Sequence, residues 1–213
     1  FESFDLLPAI AADAAFTKNT NLKLSGTNAA SSCATFVAGG GGVKLTTTTA
    51  SADQVILSGI SSSAWGLTFA PDNQIVFETQ IVTDATITAR TIWAGLKLTT
   101  TGVTATDNDQ TFFRYDDQTN GGNFQIIDSN AGTDNVVDSG VVVLASTAYL
   151  LQIKVGQDLL PRYYINGVHV GTGLALATGT SLIPVVGIQT TAAAAKAVTV
   201  RHVRLVVPIN PIV

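Results

Sequence analysis

The sequence predicts an all-β chain folded as a two-sheet antiparallel sandwich, and four observations lead there. Charged residues make up only 12% of the 213 residues against 46% hydrophobic, about half the usual charged share. Threonine and valine, which suit a pleated and half-buried surface, recur throughout. Tyr149, Leu151, Ile153 and Val155 alternate with Leu150, Gln152 and Lys154, a period of two that lays one face of a strand on a core. Finally, Asn166-Gly167 sits between Tyr163-Tyr164-Ile165 and Val168-His169-Val170, the pair that most readily supplies the two positive φ values of a type I′ hairpin. In that register Ile165 faces Val168 and Tyr163 faces Val170 on the buried side, with Tyr164 and His169 paired on the other.

Residues 1–38 differ in kind from the rest and read as an N-terminal arm or edge segment. Ala9–Ala15 suits one or two helical turns, while Asn19–Ser32 is polar and small, so its order is expected to depend on docking. Residues 39–213 form the sandwich domain. Gly39–Gly42 open it as a flexible turn, because no Gly-Lys-Ser/Thr and no helix follow to make a phosphate cradle.

Strands are then predicted at Val43–Thr49, Gln54–Ser58, Gln74–Val82, Arg90–Thr99, Thr111–Asp116 and Asn123–Asp128. They continue at Val136–Leu144, Tyr149–Val155, Arg162–Val170, Pro184–Gln189 and Val198–Val207. Asp116–Gly122 and Asp128–Asp134 are turn-rich separators, and Ala192–Lys196 alone suggests a helix. In the last strand Val198 and Val200 share one parity and Val203, Leu205 and Val207 the other. A bulge near Arg201-His202 restores a single buried face.

The order of features resembles a known family. Phe4-Asp5, the GGGGVKLTT strand, the strand around Glu78, Ala94-Gly95-Leu96, and Phe112-Phe113-Arg114-Tyr115 come first. A Tyr-x-Leu-x-Ile strand then feeds Tyr-Tyr-Ile-Asn-Gly, and VTVRHVRLVV closes the chain. This resembles the concanavalin A-like lectin/glucanase jelly roll, whose superfamily includes laminin G-like modules. Within it the chain looks most like domains of accessory virion proteins of tailed bacteriophages, such as head decoration proteins and head or tail fibres. The resemblance implies a jelly-roll sandwich and a structural subunit on a virus particle. Its expected partners are further copies of itself and capsid or tail proteins. A carbohydrate-binding module is the alternative, and a glycoside hydrolase a remote one.

Glucanases of that superfamily carry Glu-x-Asp-x-x-Glu, because retaining hydrolysis needs two carboxylates a fixed distance apart. Here Gln80 stands where the aspartate belongs and Thr83 where the second glutamate belongs, which leaves Glu78 alone. Nor does any Gly-x-Ser-x-Gly surround a serine. The chain is therefore expected not to be an enzyme and to need no cofactor. Asp107-Asn108-Asp109 and Asp116-Asp117 offer oxygen ligands to Ca²⁺, but such clusters also serve turns through Asx hydrogen bonds. The turn reading leads.

Eleven scattered Lys and Arg against fifteen Asp and Glu argue against nucleic acid. The longest apolar stretch, near the C-terminus, is broken by Arg201, His202 and Arg204, so no membrane association is expected. The single Cys33 excludes an internal disulfide.

Three residues remain as contact candidates. Trp93 opposes the apolar parity of Ile92, Ala94, Leu96 and Leu98. It has three readings: cover by the chain's own loops, a subunit interface, or stacking on a glycan. Tyr164 and His169 lie on the outward face of the predicted hairpin and are candidates for the same interface or glycan contact.

Overall fold

A computed structural model describes residues 22–27, 33–37, 41–59, 74–102 and 106–206. The helical turns expected at Ala9–Ala15 and the arm boundary at residue 38 lie outside the described residues. The strands are β1 (Leu22–Ser25), β2 (Ala34–Phe36), β3 (Val43–Thr46), β4 (Gln54–Gly59), β5 (Ile75–Thr83), β6 (Arg90–Lys97) and β7 (Gln110–Asp116). They continue with β8 (Asn123–Asn130), β9 (Thr133–Val142), β10 (Ala148–Val155), β11 (Pro161–Ile165), β12 (Val168–Thr172), β13 (Ile183–Thr190) and β14 (Ala197–Val206). Two seven-stranded antiparallel sheets result, a back sheet ordered β1-β4-β13-β6-β7-β8-β9 and a front sheet ordered β12-β11-β10-β5-β14-β3-β2. This is the jelly-roll sandwich the sequence predicts.

The core between the sheets follows from alternation. On β5 every second residue from Ile75 to Thr83 is buried, so Phe77 and Ile81 enter the core while Glu78 and Gln80 face outward. Edge-to-face aromatic contacts link the two sheets: Phe113 of β7 meets Tyr163 of β11 at 5.3 Å, and Phe124 of β8 meets Tyr149 of β10 at 5.1 Å. Tyr163 spans the sandwich. Its hydroxyl donates to the Ile127 carbonyl at 3.0 Å and shares a 2.7 Å hydrogen bond with Thr111. The polar tip of this buried ring is thereby satisfied. Beside it, burial raises the Asp128 carboxyl, and hydrogen bonds from the Leu174 amide, Asn135 and Tyr163 partly offset that rise.

Several expectations require correction. In the hairpin, Asn166 and Gly167 adopt φ of 52° and 80°, and Ile165 pairs with Val168 and Tyr164 with His169. A register shift then falls between Tyr163 and Tyr164, so Tyr163 opposes Gly171 rather than Val170. Val168 is also not in the core: it is 66% exposed. β12 is the last strand of its sheet, and Val168, next to the hairpin turn, stays open to solvent although it shares the inward parity. The turn expected within Asp128–Asp134 is present but shorter than that span. β8 and β9 run through it around a two-residue turn, Ala131 at φ 50° and Gly132 at φ 80°. Ala192–Lys196 forms bends rather than a helix. Within 1–38, β1 and β2 pair as sheet edges, and the buried Cys33 and Ala34 join the core. These two strands take the edge positions that were one of the two readings of this region. The bulge in the last strand stands as expected, its register shifting between Val200 and His202.

The back sheet also has a covered outer face. Trp93, Ile56, Phe112, Ile127, Ile183 and Val185 form a second buried cluster there. Gly187 is the cross-strand partner of Trp93, and a Cβ built on it would overlap the indole. Gly187→Ala should therefore cost about 2 kcal/mol through overpacking. Gly167→Ala, with nothing within 4 Å of the added carbon, should cost only about 1 kcal/mol of backbone strain. Urea midpoints of the two variants measure the contrast, and equal losses would contradict the packing described.

Candidate functional site

The outer face of the front sheet gathers the outward side chains of five neighbouring strands. Cross-strand pairing aligns His169 with Tyr164, Tyr164 with Gln152, Gln152 with Glu78, and Glu78 with Arg204. This is a straight row across β12, β11, β10, β5 and β14. Strand alternation fixes it, because each of these residues is flanked by inward-facing neighbours. Glu78 is the hub: Gln152 Nε2 donates to its Oε2 at 2.5 Å, His202 Nε2 lies 3.2 Å from its Oε1, and Arg204 Nη1 lies 4.0 Å from the same oxygen. The bulge leaves Arg201 as the extra residue, and its Nη1 reaches the Gln80 side-chain oxygen at 3.4 Å.

At the other end of the row, Lys154 Nζ lies 4.4 Å above the Tyr164 ring, and His169 meets that ring edge-on at 5.2 Å. The His169 ring also bonds Thr172 Oγ1 at 3.2 Å. Arg162 and Asp158 close the margin with a 2.6 Å ion pair, which lowers Asp158 and raises Arg162. The face thus offers an aromatic ring, amide donors and acceptors, guanidinium groups, two imidazoles and one central carboxylate.

Of the three residues singled out from the sequence, Tyr164 and His169 lie together on this face. Trp93 is elsewhere, on the outer face of the back sheet and fully buried. Its indole Nε1 donates to the Thr100 carbonyl at 3.3 Å, and Gly102 packs against the ring. Of its three readings, cover by the chain's own 98–102 segment describes its position. His202 was read from the sequence, with His169, as a surface or interface residue, and Gln80 only as the missing glucanase aspartate; Gln152, Lys154 and Arg204 were not singled out. The signal was present in the parity of β10 and in the bulge placed at Arg201-His202, which together align these residues with Glu78.

The carboxylates read as Ca²⁺ candidates have other partners. Asp117 accepts the amides of Ala89 and Arg90 at 2.6 and 3.0 Å, and Asp116 accepts the Gln118 amide at 3.0 Å. Asp109 accepts the Ala131 amide at 3.2 Å. Among the described residues no group of three His, Cys, Asp or Glu gathers as a metal site. Asp107 is buried 3.1 Å from the buried Lys97 ammonium, which also contacts Gln110 and lies 4.1 Å from the Phe112 ring centre.

No protein-family model matches this sequence, and a search of characterised proteins finds no relative. Solved structures do resemble it. An alginate lyase from Corynebacterium sp. aligns at 13% identity and a TM-score of 0.57, covering 82% of this chain and 81% of its own. The metal-free Emp46p carbohydrate recognition domain aligns at 8% identity and 0.58, covering 93% and 94%. The carbohydrate-binding module CBM66 from Bacillus subtilis aligns at 11% and 0.53, covering 87% and 95%. These likenesses establish the concanavalin A-like jelly-roll fold and carry no link to phage proteins.

They also correct the expectation that the chain is not an enzyme. Alginate lyases recur among the similar structures, at 9 to 13% identity, so this fold houses enzymes without being confined to glucanases. The absent second carboxylate bears only on two-carboxylate hydrolysis. A lyase eliminates, and elimination asks for a base and a proton donor, roles open to imidazole and phenol groups. At these identities the likeness is one of fold.

The buried Lys97 has a consequence for pH dependence. Burial lowers its amine from 10.5 to about 8, against the opposing pull of Asp107. Between those values the unfolded chain holds the proton that the folded chain has released, so this group adds stability as pH rises from about 8 towards 10.5. Burial raises the Tyr163 and Tyr115 phenols, so above about pH 10 they act in the opposite sense. Chemical denaturation at pH 7.5 and 9.5 should show a larger upward change for the native chain than for Lys97→Met. An identical pH response in both would refute the assignment.

Proposed function

We propose that this chain is a carbohydrate-binding domain whose ligand lies on the outer face of the front sheet. One observation carries the reading: the row His169, Tyr164, Gln152, Glu78 and Arg204 puts one polar or aromatic side chain from each of five adjacent strands on a single line. Saccharides are bound by paired hydrogen bonds to hydroxyl groups and by apolar contact with ring faces. The amide, carboxylate and guanidinium groups supply the first, and the Tyr164 ring supplies the second. The likeness to a carbohydrate recognition domain and a carbohydrate-binding module supports the same choice.

Calorimetric titration of the purified chain with soluble polysaccharides tests it. Gln152→Ala and Tyr164→Ala should each weaken binding by about tenfold, or about 1.4 kcal/mol, with the thermal midpoint little changed. Unaltered affinity in both variants would remove this face from the ligand site.

A second reading, a homo-oligomeric subunit of a virus particle held to capsid or tail proteins with residues 1–38 as a docking arm, is favoured by the distribution of apolar surface. Among the described residues, six of the seven exposed large hydrophobics are Val136, Val137, Val142, Leu144, Val168 and Leu174. They follow the margin where β9 ends the back sheet and β12 ends the front sheet. Concentrated exposed apolar surface of this kind suits burial in an assembly. On this reading the native chain self-associates in sedimentation velocity runs and Val137→Asp shifts it towards monomer. A chain monomeric at all concentrations removes the self-association.

A further inference from the structure

We infer that the saccharide taken by the front-sheet face is anionic, carrying carboxylate or sulfate groups. This rests on the carbohydrate-binding reading and goes beyond it by naming the ligand's chemistry. Two independent observations lead to it.

The first is charge distribution. The outer face of the front sheet and its rim hold Lys44, Lys154, Arg162, Arg201 and Arg204, five of the eleven basic residues of the chain, together with both histidines. Three carboxylates lie against them: Glu78 in the centre, Asp158 on Arg162, and Asp84 at 3.9 Å from Lys44. Five cations against three anions leave this face two positive before either imidazole is counted. The chain as a whole is −4, so the remainder of the sequence is six negative. A positive face on an acidic protein draws anions to that face and away from the others.

The second is the state of the aromatic platform. A neutral sugar stacks on an open ring face, but the Tyr164 ring already carries the Lys154 ammonium 4.4 Å from its centre and His169 at its edge. A neutral ligand would have to displace the cation and offer it only uncharged hydroxyl acceptors, weaker partners for an ammonium than a carboxylate or sulfate. An anionic sugar takes the ammonium as a partner and stacks on the ring it uncovers. Three residues along the row, Arg204 and His202 flank Glu78, and a second acidic group of the same ligand meets a guanidinium there. Glu78 limits the surplus at that end and holds both side chains against the sheet.

The test compares, on the full chain, a polyuronate, a sulfated galactan, a neutral dextran and a single-stranded DNA oligonucleotide. The polyuronate or the sulfated galactan should bind at least about tenfold tighter than dextran at low salt, and that preference should shrink as salt is added. Lys154→Gln and Arg204→Gln should each reduce the preference at least about threefold without moving the thermal midpoint. Comparing the polyuronate with the galactan separates carboxylate from sulfate. Dextran binding as tightly as either acidic polymer overturns this inference and leaves the carbohydrate-binding reading standing. Binding to none of the polysaccharides defeats both. DNA binding as tightly as the acidic polysaccharides overturns the inference in favour of unselective anion attraction.

Discussion

The strict period of two on β5 is the constraint from which most of the molecule follows. The strand lies between β10 and β14 near the middle of its sheet, so it has no free edge and no freedom of register. A slip by one residue would send Glu78 and Gln80 into the core and Phe77 and Ile81 into water. Once Phe77 and Ile81 are buried, Glu78 must stand outward in the middle of the face. The residues opposite it on both neighbours, Gln152 and Arg204, then become its partners. Packing and the candidate site are two sides of one strand.

The bulge in β14 makes this arrangement possible. Paired regularly, without the bulge, the apolar residues of the closing strand would divide between the two faces. With Arg201 looped out, Val198, Val200, Val203 and Leu205 share the inner side, while His202 and Arg204 reach the outer side. One inserted residue therefore serves both the core and the outer face. It also frees the Arg201 side chain to lie over Gln80.

Much of this was legible in the sequence. Alternation located the long strands, Asn166-Gly167 located the hairpin, and the parity break located the bulge. The shortfalls share a physical origin: parity says which face a side chain is on, and not what lies over that face. Trp93 does oppose its strand's core parity, yet the 98–102 segment covers it, and no local pattern in 90–97 records that cover. Val168 does share the parity of Ile165, yet it lies beside the hairpin turn of an edge strand and stays exposed. The front-sheet face was hidden for a related reason. Its members come from five strands far apart in sequence, and only the sheet order brings them into a row. The narrow view of enzymes came from testing a two-carboxylate arrangement and nucleophile motifs when the fold also houses lyases.

The contact between Trp93 and Gly187 has a consequence for how the back sheet opens. The indole lies across the glycine on the partner strand and is itself roofed by Gly102. The indole therefore shields the middle of the β6 and β13 ladder from that side, and the core closes the other. Amides in the middle of this pair are expected to exchange mainly when the sandwich opens as a unit. β6 and β13 thus behave as one unit in hydrogen exchange, while the short edge strands β1, β2 and β12 open by local fraying. The chain's dynamics would then be layered from margin to centre, with a single aromatic ring as the seal.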